Sequence, residues 1–121
     1  MSVITWQRIE GGLIAVVALA LAGVMQPGWP LWLWPLALLA PDLAAVGYLA
    51  GPRIGAQLYN AVHLYAGGLV LALLGLLAGS PALIAAGALW LAHVGGDRAL
   101  GYGLKHPTAF ADTHLGRLGR G

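Results

Sequence analysis

The sequence predicts an all-α integral membrane four-helix bundle, antiparallel and up-down, with both termini cytoplasmic. Three observations lead there. Sixty per cent of the 121 residues are hydrophobic and only 8% are charged, whereas a soluble domain carries roughly a quarter, so lipid must solvate most of the surface. Four apolar stretches, each near the ~20 residues that a helix needs to cross a bilayer, are separated by short proline- and glycine-rich breaks. Threaded as four spans, the chain puts all six Lys and Arg residues on one side and none on the other.

The first span covers residues 9–25, and Gln26-Pro27-Gly28 breaks it. The second, residues 31–49, is interrupted by Pro35 and Pro41 and ends before Gly51-Pro52-Arg53. The third covers residues 56–77. Gly79-Ser80-Pro81 follows, and Pro81 suits the first turn of a new helix. The fourth covers residues 82–100. A polar, glycine-rich tail, residues 101–121, completes a single transmembrane domain of residues 1–121. Short connections make neighbouring helices antiparallel. One side then holds Arg8, Arg53, Arg98, Lys105, Arg117 and Arg120, while the loops QPGWP and AGSP hold no basic residue. Lysine and arginine in short loops mark the cytoplasmic side. Trp29, Trp32 and Trp34 cluster at the opposite face as an interfacial aromatic belt. Reading the first span as a cleaved signal peptide would use Arg8 and the small residues of ALALAG, but Glu10 beside the run and the length of the run oppose it.

Composition also excludes chemistries. There is no cysteine, so no disulfide, thiolate metal site or cysteine nucleophile exists. The basic residues flank apolar spans and form no basic face, so no nucleic acid is expected as a partner. The two serines, Ser2 and Ser80, sit in no nucleophile motif. The expected partner is the lipid bilayer. Small residues at Ala45, Gly47, Gly51, Gly67, Gly68 and Gly75 suit close helix contacts or a homodimer.

The informative residues are the ionisable ones inside the spans, which cost roughly 2.5–3.5 kcal/mol each on insertion scales and so need a reason. Asp42 lies eleven residues before Arg53, and His63 lies ten after it. At the helical rise of about 1.5 Å per residue both sit roughly 15 Å in from that loop. His93 lies twelve residues before Lys105. Asp42, His63 and His93 therefore share a layer in the cytoplasmic half, with Asn60 and Asp97 nearer the cytoplasm. Asn60 with His63, and His93 with Asp97, have spacings that share a helix face.

Three functions fit such a cluster. It can be a hydrogen-bonded network that locks the bundle of a membrane scaffold or accessory protein. It can be a proton or substrate relay in a small transporter. Or Asp42, His63, His93 and Asp97 can bind a zinc-like divalent metal. A metal would support hydrolysis of a lipid or lipid-linked substrate, with Asp97 and His114 as candidate catalytic residues. Tyr59, Asn60, Arg98 and Lys105 are further polar candidates. The tail mixes apolar and basic residues and reads first as lying at the headgroups, with Lys105, Arg117 and Arg120 drawn to anionic lipid. The sharper expectation is a lid anchored by Tyr102, Phe110 and Leu115, with His114 turned toward the cluster.

PDLAAVGYLAG, GAQLYNAVHLY and LAHVGGDRALGYGLKHPTAFADTHLGRLG together resemble a family of small bacterial integral membrane proteins described as a domain of unknown function. The resemblance rests on PD, YNxxH, HxxxDR, GYGLK and THLG and runs from the second span to the end. It implies four spans and a bacterial cytoplasmic membrane, and it brings no activity or ligand. Small multidrug transporters share the length, four spans and an early acid, here Glu10, and nothing more.

Overall fold

The computed structural model describes residues 1–118; Arg120, counted above among the basic residues, lies outside the described residues. Helix α1 spans Val3–Met25. It begins well before residue 9, because the Ser2 side chain accepts from the Thr5 amide at 3.2 Å and satisfies a free donor of the first turn. Hydropathy alone discounts Arg8 and Glu10, yet both lie within the helix. It ends where Gln26 takes a left-handed φ of 46°.

Helix α2, Leu33–Ala50, changes its winding midway. Leu33–Leu39 is α-helical, and Ala40–Ala50 follows a 3₁₀ course. Pro41 has no N–H to continue the α ladder. Residues three apart eclipse on a 3₁₀ helix, so Leu43, Val46 and Leu49 form one exposed apolar row.

Helix α3 occupies Pro52–Ala78 but is not continuous. Its halves are Pro52–Val62 and Tyr65–Ala78. Between them Leu64 is extended, with φ −85° and ψ 151°. Helix α4, Pro81–Leu100, opens with Ser80 capping the Leu83 amide and ends at Gly101, whose φ is 88°. Strands β1 (Asp112–Thr113) and β2 (Gly116–Arg117) form a small antiparallel hairpin in the tail.

Helices α1, α2 and α3 are each long and apolar enough to cross a membrane. Helix α4 stands apart from the four equivalent spans expected. It has the length, 20 residues, but it carries His93, Asp97 and Arg98 and buries nine residues against three in α1. It lies among the other helices, with His93 and Arg98 buried.

Small residues let the backbones approach. Gly11 of α1 meets Gly95 of α4 so closely that a Cβ on Gly95 would lie 2.5 Å from the Gly11 carbonyl oxygen. Arg8 Nε donates to the Ala99 carbonyl at 2.9 Å, close to the negative end of the α4 dipole. At the far end Ala22, Ala85, Ala88 and Leu89 form a buried core flanked by Met25, Trp29 and Trp34. The second half of α3 packs on α4 through Gly68 and Gly87, and its first half packs on the 3₁₀ part of α2, with Gly47 against Leu58 and Gly55 against Tyr48. Several small residues read as helix-contact positions thus serve contacts within the chain.

The tail folds back onto the bundle. The Asn60 side chain brackets the Lys105 backbone, donating from Nδ2 to its carbonyl at 2.8 Å and accepting its amide at Oδ1 at 2.6 Å. Lys105, Thr113 and Leu115 are buried, and Asp112 pairs with Arg117 across the hairpin. Replacing Asn60 with alanine is expected to free this segment. Trypsin should then cut after Lys105 at least tenfold faster, since local opening sets access to a buried bond. Band intensities over a digestion time course of the detergent-solubilised chain give the comparison; equal rates would mean that Asn60 does not hold the tail.

Candidate metal centre

Four side chains from three helices converge where α3 breaks. Asp42 comes from the first 3₁₀ turn of α2, His63 from the break in α3, and His93 and Asp97 from successive turns of α4. Each offers one ligand atom, and all four atoms lie within 4.8 Å of one another. His63 Nε2 is 3.4 Å from Asp42 Oδ1 and 3.6 Å from Asp97 Oδ2. His93 Nε2 is 3.0 Å from Asp42 Oδ1 and 3.2 Å from Asp97 Oδ2. The two Nε2 atoms are 3.2 Å apart. A tetrahedral ion with bonds of about 2.0–2.2 Å spaces its ligand atoms by about 3.3–3.6 Å. Two of the five separations fall in that range and the other three are 0.1–0.3 Å shorter.

The outer partners of the rings fix which nitrogen faces inward. His63 Nδ1 lies 2.8 Å from the Tyr59 carbonyl oxygen, and His93 Nδ1 lies 2.8 Å from the Leu38 carbonyl oxygen. A carbonyl can only accept, so both Nδ1 atoms donate. In the neutral rings each Nε2 then carries a lone pair. Two imidazole lone pairs and two carboxylates meet with no donor among them. Backbone carbonyls on the far nitrogen are the usual means of orienting metal-ligating histidines. Tyr59 stacks on His63 with centroids 3.7 Å apart and planes 6° from parallel, which holds the ring's tilt.

The helix break is itself satisfied from α4. Trp90 Nε1 donates to the Val62 carbonyl at 2.6 Å, and Arg98 Nη2 donates to the His63 carbonyl at 2.9 Å. Irregular backbone at membrane depth survives only where protein supplies such partners. Arg98 is buried and acts on the site by fixing the His63 backbone.

The centre is buried on its imidazole side and open on its carboxylate side. The His63 side chain is fully buried and that of Asp97 is 16% exposed, but that of Asp42 is 54% exposed. Asp42 and Asp97 face an open cavity of about 430 Å³, together with Tyr59, Tyr102, Lys105 and Phe110. Lys105 Nζ lies 3.9 Å from the Phe110 ring centroid and 4.8 Å from that of Tyr59. Burial lowers the Lys105 pKa, while the charges of Asp97 and Asp42 work against that shift.

Among the residues singled out from the sequence, Asp42, His63, His93 and Asp97 come together, Lys105 and Tyr59 border them, and Asn60 and Arg98 brace the surrounding backbone. His114 stands apart. It is exposed, and its Nδ1 accepts the Leu104 amide at 2.8 Å. Partial desolvation of its ring and the Arg98 charge lower its pKa. Trp90 and the Leu38 carbonyl carry roles that composition and spacing did not signal. Trp90 reads as an ordinary apolar position, and a backbone acceptor leaves no mark on a sequence.

A family model for a domain of unknown function, DUF4260, matches residues 4–118. No curated protein and no solved structure matches the chain.

Proposed function

The chain belongs to the DUF4260 family, a domain of unknown function, and from that premise we propose that it is a four-span membrane protein whose His/Asp cluster binds one zinc-like divalent ion for hydrolysis of a membrane-resident substrate. The observation that carries this is the meeting of four acceptor atoms at near-tetrahedral spacing, with both imidazole Nδ1 atoms committed to carbonyls. Only a cation or a trapped proton relieves such a set, and the convergence of four ligand-type atoms from three helices supports the cation.

The membrane arrangement follows from charge. Arg8 against Ala99 at one end, and Ala22 beside Ala85 and Ala88 at the other, support an antiparallel α1 and α4. Arg8, Arg53, Arg98, Lys105 and Arg117 then mark the cytoplasmic side, with both termini there and the centre in that half of the bilayer.

His63, His93 and Asp97 form a held set of two imidazoles and one carboxylate, the number of protein ligands that leaves a catalytic zinc one open position. A divalent ion held by His63, His93 and Asp97 would lower the pKa of a water and so supply the nucleophile for ester hydrolysis. Asp42, half-exposed beside that position, would take the water's proton and return it to the departing alcohol oxygen as the ester bond breaks.

The test is elemental analysis of chain purified in neutral detergent without chelator, followed by cobalt substitution. The expected result is about one divalent ion per chain and the absorption of tetrahedral cobalt. Protein free of metal with native stability would favour the proton relay and overturn the hydrolase reading.

A further inference from the structure

Two unlike cavities are lined by cluster residues or by their neighbours in sequence. One is the tail-side cavity of about 430 Å³ faced by Asp42, Asp97 and Lys105. The other, about 340 Å³, is apolar and lined by Ala37, Pro41, Val62, Leu71, Ala86 and Trp90. Its residues adjoin the ligands along the chain. Pro41 precedes Asp42, Val62 precedes His63, and Trp90 lies three residues before His93. A molecule with a polar head and an apolar chain suits the two environments.

Charge selects the head. Lys105 is only 5% exposed, and among the described residues no carboxylate lies within ion-pair distance of it. Its ammonium rests on the Phe110 and Tyr59 rings and borders the cavity. A divalent ion balances Asp42 and Asp97, so Lys105 leaves the loaded cavity with one net positive charge. A buried ammonium beside a divalent ion recruits a multiply charged oxyanion through charge-assisted hydrogen bonds.

We propose that the substrate is an anionic amphiphile, with a phosphate headgroup held by Lys105 in the tail-side cavity and an apolar chain in the groove at Trp90. This deepens the hydrolase reading and rests on it for the ion that makes the cavity cationic. Tyr102 and Tyr59 border the same cavity and place hydroxyl-bearing rings beside the headgroup. Asn60 sets the specificity indirectly, by pinning the Lys105 backbone.

The experiment uses full-length chain with its metal content measured. Native mass spectrometry counts bound dodecyl phosphate, and inorganic phosphate and dodecyltrimethylammonium are run alongside. The expected result is one dodecyl phosphate per metal-loaded chain, no retained dodecyltrimethylammonium, and inorganic phosphate at least about tenfold weaker. Lys105→Met should weaken dodecyl phosphate by about tenfold or more while keeping the ion, and Lys105→Arg should restore most of it. Ala86→Leu, which fills the groove, should weaken dodecyl phosphate and leave inorganic phosphate unchanged. Unchanged dodecyl phosphate binding in metal-loaded Lys105→Met overturns the headgroup assignment and leaves the metal reading intact. Equal binding of inorganic and dodecyl phosphate overturns the groove assignment. If the wild-type chain holds no ion yet binds dodecyl phosphate through Lys105, the hydrolase reading fails and the amphiphile site stands. Should Lys105→Met fail to fold, Ala86→Leu with the three wild-type ligands decides the matter alone.

Discussion

His93→Ala is expected to strip the chain of its ion and to lower its melting temperature well below that of the wild type. The side chain holds three relationships at once: Nε2 faces both carboxylates and the other imidazole, and Nδ1 donates to Leu38. Its removal leaves two facing carboxylates with one imidazole between them and a carbonyl without its donor. Leaving a buried polar group without its partner costs about 1–3 kcal/mol, more beside a charged group. A ligand present at a hundred times its dissociation constant adds about 2.7 kcal/mol to the folded state, and this too is lost. Melting curves of detergent-solubilised chain, with and without a chelator, separate the two contributions. The wild type should melt lower in chelator, and His93→Ala should melt at one temperature in both. Identical wild-type curves with and without chelator would remove the ion from the account of stability.

Gly87→Ala is the second large effect, and its sign runs against helix propensity. Alanine is favoured over glycine in a helix interior by about 1 kcal/mol. At Gly87, however, a Cβ would lie 2.7 Å from the Gly68 carbonyl oxygen and 2.9 Å from Ala72 Cα, and both are backbone atoms of α3. Neither can turn aside as a side chain would, so α3 and α4 must separate. Overpacking of this kind costs about 1–3 kcal/mol or more. Because His63 stands on one of these helices and His93 and Asp97 on the other, metal content should fall with stability. Gly23→Ala is the matched control. Nothing lies within 4 Å of its added Cβ, and it should leave both properties unchanged or raise stability slightly. A Gly87→Ala chain that melts with the wild type and keeps its ion would show that the α3–α4 contact is looser than these distances state.

The fold and the site were legible to different depths. Apolar runs and their breaks reveal the helices, because lipid solvation and backbone closure leave a chain little choice. Counting inward from Arg53 and Lys105 brought Asp42, His63 and His93 to a common level, and the HxxxD spacing brought Asp97 to the same face. The route to that level differs from the one assumed. Residues after Asp42 rise along a 3₁₀ path, and α3 breaks at His63, so the agreement rests partly on compensation between tighter winding and a bend. The break was not legible, because His63 and Leu64 include neither proline nor glycine. It exists because Trp90 and Arg98, 28 and 35 residues away from their acceptors, take the carbonyls that a helix would have used. The clamp that docks the tail was hidden for the same reason. The tail's composition suits a headgroup layer, while the Asn60 clamp that draws Lys105 inward joins positions 45 residues apart. Local composition records what a segment prefers alone and cannot record a partner that arrives from elsewhere in the chain.

The interruption at His63 also sets an order of assembly. Until α4 docks, the Val62 and His63 carbonyls lack their Trp90 and Arg98 donors, and nothing favours the break that aims the imidazole over a continuous helix. Two of the four candidate ligands, His93 and Asp97, stand on α4 itself. On the proposed metal reading, ion capture follows the docking of α4, and metal content reports whether α3 and α4 have come together.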